Sequence, residues 1–176
     1  GGRSAAVRGI NNGDRGDGVG VHGSHRFGIG VLGEATSGTG VQGSSTSGDG
    51  ILFESAGGLT TSGAGTITLT GVATGGYNGV RINNTNLTAV SGDISITGNS
   101  NYTGSYSGVR LHGSTAVSTS GKVSVSGTGG TAHYAVWLVD TASITAGGNI
   151  TINGQNAARN WGVSFHTTGT VQIGRA

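Results

Sequence analysis

Two apolar residues separated by a single position recur down this chain at nearly constant intervals. They are Ile51/Phe53, Val80/Ile82, Val109/Leu111, Val136/Leu138 and Val163/Phe165, with steps of 29, 29, 27 and 27 residues. A second series, Ile67/Leu69, Ile94/Ile96, Val123/Val125 and Ile150/Ile152, keeps the same period. Between them runs a weaker one: Leu59, Leu87 or Val90, Val117, Ile144 and Val171. Within each segment apolar and polar residues alternate, the period-two mark of a half-buried strand. The stretch Tyr106 to His133 shows one unit whole, three short alternating segments divided by Gly/Ser corners. No segment is long enough to be stable alone, so each must bury its apolar side against copies of itself.

The arrangement that does this is an all-β, right-handed parallel β-helix, a solenoid of about six three-sided coils of roughly 27–30 residues. A ten-residue pattern precedes the long repeat: GVGVHGSHRF, GIGVLGEATS and GTGVQGSSTS, followed by GDGILFESAG. Three decapeptides equal about one long repeat, so each decapeptide reads as one side of a coil. Residues 1–17 then form an irregular or partial coil, 18–47 a decapeptide-patterned coil, and 48–176 the long repeats, with the last coil incomplete. Corners need tight turns, and Gly63, Gly92, Gly121 and Gly148 precede the third side, where positive φ is expected. A trimeric β-prism fibre is the rival, but the long period favours closing the triangle within one chain.

Composition narrows the classes further. The 176 residues include 39 Gly and no Pro, so the strict Gly-X-Y, Pro-rich signature of collagen is missing. Nine Lys/Arg against seven Asp/Glu are scattered without a basic stripe, which argues against nucleic acid. With no Cys there is no disulfide or thiolate metal site, and no run of 18 apolar residues offers a membrane span. The start at Gly1-Gly2-Arg3 and the absence of capping segments read as an excerpt of a longer fibre, or as a rod that stacks head to tail.

The segments GDISITG, GKVSVSG and GGNITING resemble the β-helical repeats of filamentous haemagglutinin-like exoproteins and related large bacterial surface adhesins. The resemblance runs from Gly48 to Gly174, and more loosely over Gly18 to Ser47. It implies a secreted, rod-like, non-enzymatic chain, located outside the cell or on its surface. The expected function is therefore a structural segment of an extracellular bacterial β-helical fibre or adhesin. Its partners would be further copies or coils of itself, and a host surface or glycan. The alternative is a carbohydrate-binding or depolymerising β-helix such as a phage tailspike.

The residues that could carry surface chemistry are few. Tyr77, Tyr106, Tyr134 and Trp161 fall one per coil at a single corner, where rings either fasten neighbouring coils or stack on sugars. Arg81, Arg110 and Trp137 take successive outward places, setting Arg110 against Trp137 as a cation–π pair. These six, Tyr77, Tyr106, Tyr134, Trp161, Arg110 and Trp137, are the candidate surface-binding residues. Glu54 is followed in register by Asn83, His112, Val139 and His166, so no carboxylate pair for acid–base chemistry falls on adjacent coils. No catalytic, cofactor or metal residues are expected. His22 and His25 lack a third ligand, and no phosphate-loop motif occurs. The third side presents Thr66, Thr68 and Thr70 outward, but Asp93 and Lys122 break the uniform threonine array that ice-ordering needs. Arg15-Gly16-Asp17 is an integrin-type tripeptide in a Gly-rich context.

Overall fold

The structure is a computed structural model that describes residues 43–45, 48–54, 58–101, 104–130, 133–156 and 162–173. All of these lie in one compact unit, Val41–Ala176. The first two decapeptides, Arg15-Gly16-Asp17, the His22/His25 pair and Trp161 lie outside the described residues.

Every described element is a strand, and the strands come in threes. After β1 (Gly43–Ser45) the first full turn is β2 (Ile51–Glu54), β3 (Gly58–Thr61) and β4 (Ile67–Ala73). The second is β5 (Val80–Asn83), β6 (Asn86–Ala89) and β7 (Ile94–Ser100). The third is β8 (Val109–His112), β9 (Ala116–Thr119) and β10 (Val123–Gly129), and the fourth β11 (Val136–Asp140), β12 (Ser143–Ala146) and β13 (Ile150–Asn156). Two strands follow, β14 (Val163–Thr167) and β15 (Val171–Ile173). They assemble into three parallel faces: β2-β5-β8-β11-β14, β3-β6-β9-β12-β15 and β1-β4-β7-β10-β13. Four complete turns are thus described, with parts of one more on either side, against the expected six or so. Most of the decapeptide coil falls outside the described residues. β1, from the third decapeptide, pairs with β4 on the third face, Gly43 opposite Gly71.

The parallel β-helix follows from the register. Ile51 pairs with Val80, Val80 with Val109, Val109 with Val136 and Val136 with Val163. Like side chains therefore stack on like, one rung about 4.8 Å from the next. Val80, Ile82, Ile94, Ile96, Val109, Leu111, Val136 and Leu138 are wholly buried. Each such side chain contributes about 1.5–3 kcal/mol, and the core is a column, without a centre. On the second face the inward residue is Leu87, in register with Leu59 and Val117, whereas Val90 lies past the strand and is 58% exposed. Burial fades toward the last rung. Phe165 and Val171 occupy inward registers opposite Leu138 and Ile144, yet are 49% and 41% exposed.

The corners correct one expectation. Gly63 has φ +58°, but Gly92, Gly121 and Gly148 do not adopt positive φ. At Gly92 and Gly121 the rungs touch too closely for a side chain, and at Gly148 the approach is tight. A Cβ on Gly92 would overlap the Gly65 carbonyl, and one on Gly121 would lie 2.8 Å from the Gly92 oxygen. One on Gly148 would lie 3.2 Å from the Gly121 oxygen. The left-handed conformation recurs rung after rung at a different corner, the end of the first face, in Asn84 (φ 49°), Gly113 (φ 66°) and Asp140 (φ 64°). Asn, Gly and Asp are the residue types that enter this region most readily.

A further glycine feature closes the solenoid. Gly71, Gly98, Gly127 and Gly154 stack in register through the third face. Each lies against the residue that opens the next first-face strand: Gly79, Gly108, Ala135 and Gly162 respectively. At every one of these four crossings a Cβ on the third-face glycine would overlap the facing carbonyl. The two backbones cross in direct contact, which draws the triangle shut.

Candidate functional site

The first face concentrates the charged and aromatic side chains. Its strands alternate inward apolar with outward polar residues, so parallel register sets Arg81 beside Arg110 and Arg110 beside Trp137. The Arg110 guanidinium carbon lies 4.5 Å from the centroid of the Trp137 ring, a cation–π contact. Arg81 is held between two carboxylates, Nη1 3.8 Å from Asp49 Oδ2 and Nη2 3.7 Å from Glu54 Oε1.

The corner before this face carries the aromatic residues. Tyr77 and Tyr106 stack across one rung with centroids 5.5 Å apart. Tyr134 packs in a second cluster, 4.9 Å from His133, 5.8 Å from Trp137 and 5.5 Å from His166. His133 in turn meets Trp137 edge-on at 4.7 Å. Of the six candidate residues, then, Tyr77 meets Tyr106, and Tyr134, Trp137 and Arg110 form a continuous group. Trp161 lies outside the described residues.

Two polar chains run along the solenoid axis on either side of the arginine column. On one side Asn78 donates from its backbone and side-chain nitrogens to Asp49 Oδ1 at 2.8 and 2.9 Å. It accepts from the Ser107 backbone at 3.1 Å, and Ser107 Oγ meets His133 Nδ1 at 3.0 Å. On the other side Asn83 donates to Glu54 at 3.2 Å, and His112 Nδ1 lies 2.6 Å from Asn83 Oδ1. His112 Nε2 then lies 2.9 Å from Asp140 Oδ2. Each chain links four rungs, the second through side chains alone and the first with the Ser107 backbone N–H as one of its links, fixing register beyond what the backbone ladder gives.

The local electrostatics follow from this packing. Burial lowers the Arg110 pKa below its ordinary value, and the neighbouring Arg81 cation lowers it further, while Asp140 and Asp49 pull it back. His133 is likewise lowered, first by burial and then by the Arg110 charge. His112 with Asp140 has the look of a proton relay. Its other ring nitrogen, however, is occupied by Asn83, leaving none with which to activate a hydroxyl. Among the described residues no three His, Asp or Glu side chains gather as metal ligands.

The sequence placed Arg81, Arg110 and Trp137 in one column, and the register agrees. It missed the first polar chain, and of the second it set Glu54, Asn83 and His112 in one register column but not the turn to Asp140. The first depends on a corner residue, Asn78, whose partners lie 29 residues away on either side. The signal was present as the recurrence of Asp49, Asn78 and Ser107 at 29-residue steps. The third face stays polar and in register, with the Asp93 side chain capping the Lys122 backbone at 2.8 Å. Compared with protein-family models, curated proteins and solved structures, the chain matches none.

Proposed function

We propose that this solenoid is a structural segment of an extracellular bacterial fibre or adhesin of the filamentous haemagglutinin-like kind, a rigid rod that stacks end to end into filaments. The observation that carries the reading is the rung-for-rung identity of the structure. Inward apolar columns, glycine crossings and axial polar chains all repeat without a distinct centre. A fold of this kind adds length at constant cross-section and nearly constant energy per rung. Growth at one end is supported by Phe165 and Val171, which hold inward registers but are about half exposed, so that a further coil, of the same chain or of a second copy, would cover them.

The test combines assembly with location. Electron microscopy of the purified chain should show filaments of uniform width, and Phe165→Glu should shorten them to single particles with unchanged circular dichroism. Monodisperse particles at every concentration would overturn stacking. Antibody labelling of intact, unpermeabilised source cells supports the surface role, and labelling that appears only after permeabilisation overturns it.

A further inference from the structure

Three N–H donors on the first face, Arg81 Nε, Arg110 Nε and Trp137 Nε1, are buried from solvent without an acceptor among the described residues, so the ligand-facing part of the column is the outer guanidinium nitrogens. The charges around them are unevenly satisfied. Asp49 and Glu54 flank Arg81, and Asp140 is engaged by His112. Arg110 alone in this group has no carboxylate partner among the described residues, although it is half-buried and lies between a second arginine and an indole ring. A guanidinium in that position, partly desolvated and with no carboxylate, gains a charge-assisted bidentate pair when an anionic acceptor reaches its outer nitrogens. Beside the column, Tyr77 is 40% exposed and stacked on Tyr106, offering an aromatic surface that runs along the axis.

The geometry points to a carboxylate-bearing polysaccharide, a uronate chain, as the ligand of this face, with one carboxylate taken by the Arg110 fork and a neighbouring sugar ring lying against Tyr77. A guanidinium with no carboxylate of its own among the described residues suits a ligand whose oxygens accept. A peptide would bring N–H groups of its own that need partners. Guanidinium nitrogens match the planar carboxylate bidentately, and aromatic faces take the apolar side of a sugar ring. The rung spacing of about 4.8 Å is close to the length of one sugar ring, so a chain lying along the axis would meet successive rungs with successive residues. This binding is independent of whether the rod forms filaments.

Affinity electrophoresis in native gels tests it, with polygalacturonate, alginate or hyaluronate in the gel and dextran as the neutral control. The protein should be retarded by at least one uronate polymer and not by dextran, and added salt should weaken the effect. Arg110→Gln should weaken binding about tenfold or more, Arg110→Lys should fall between, and Tyr77→Ala should weaken it while keeping the urea midpoint. Should Arg110→Gln fail to fold, the wild-type chain still decides, because uronate binding beside Trp137 should shift its fluorescence in a Trp161→Phe background. Retardation by dextran as strong as by uronates, undiminished binding in Arg110→Gln, or no binding to any of the three polymers would overturn the proposal.

Discussion

Gly98 of β7 lies against the carbonyl of Gly108, the residue that opens the next turn, with no room between them for a methyl group. Gly98→Ala must therefore push the two backbones apart and disturb the core valine Val109 beside them. The expected loss is about 1–3 kcal/mol, read as a lower urea midpoint at unchanged slope. Gly63 provides the contrast. Its Cβ would meet open space, and only its φ of +58° resists substitution, so Gly63→Ala should cost about 1–2 kcal/mol without perturbing any neighbour.

Leu87 and Val90 compete for the same place in the sequence pattern, and the structure separates them. Leu87→Ala empties a fully buried site and should cost about 2–5 kcal/mol. Val90→Ala changes a 58% exposed side chain and should stay within about 0.5 kcal/mol. Thermal or urea unfolding of the two variants side by side checks the assignment.

Asn78 is 5% exposed and bridges Asp49 to Ser107. Asn78→Ala leaves the Ser107 N–H without its acceptor and should cost about 1–3 kcal/mol. Hydrogen exchange should accelerate at Ser107, while amides on the second face keep their protection.

His133 gives the fold a pH dependence of definite sign. Burial and Arg110 lower its pKa below 6.5, so the unfolded chain binds a proton more readily than the folded one. The neutral ring is the form the fold accepts. Its contribution is complete above about 6.5 and is lost as the pH falls through that value toward the lower folded pKa. His133→Gln should therefore flatten the slope of stability against pH in this window, measured as the difference in urea midpoints between wild type and variant.

Much of this architecture could be read from the chain itself. Inward pairs such as Val109/Leu111 and Val123/Val125 alternate with polar residues and repeat at one period, and parallel stacking is the arrangement that buries them all. The outward column of Arg81, Arg110 and Trp137 follows from the same arithmetic. The corners were less legible, because a glycine in a sequence does not say which of its properties is needed. Gly63 is there for its φ, whereas Gly92 and Gly98 are there because another backbone passes too close for a side chain. Period alone cannot distinguish these cases, since both produce a glycine once per turn.

What the sequence by itself determined was the periodicity: which residues face inward, how many make a turn, and that neighbouring turns are alike. Alternation and spacing are local properties, so they survive being read one residue at a time. Only the tertiary structure decided which groups satisfy one another. It paired Arg81 with Asp49 and Glu54, gave Asp140 to His112, and left Arg110 on the indole without a carboxylate among the described residues. The reason is geometric. A charge is neutralised by whatever lies within a few ångströms, and along a solenoid those neighbours come from rungs nearly thirty residues away, at offsets that the reach of each side chain selects.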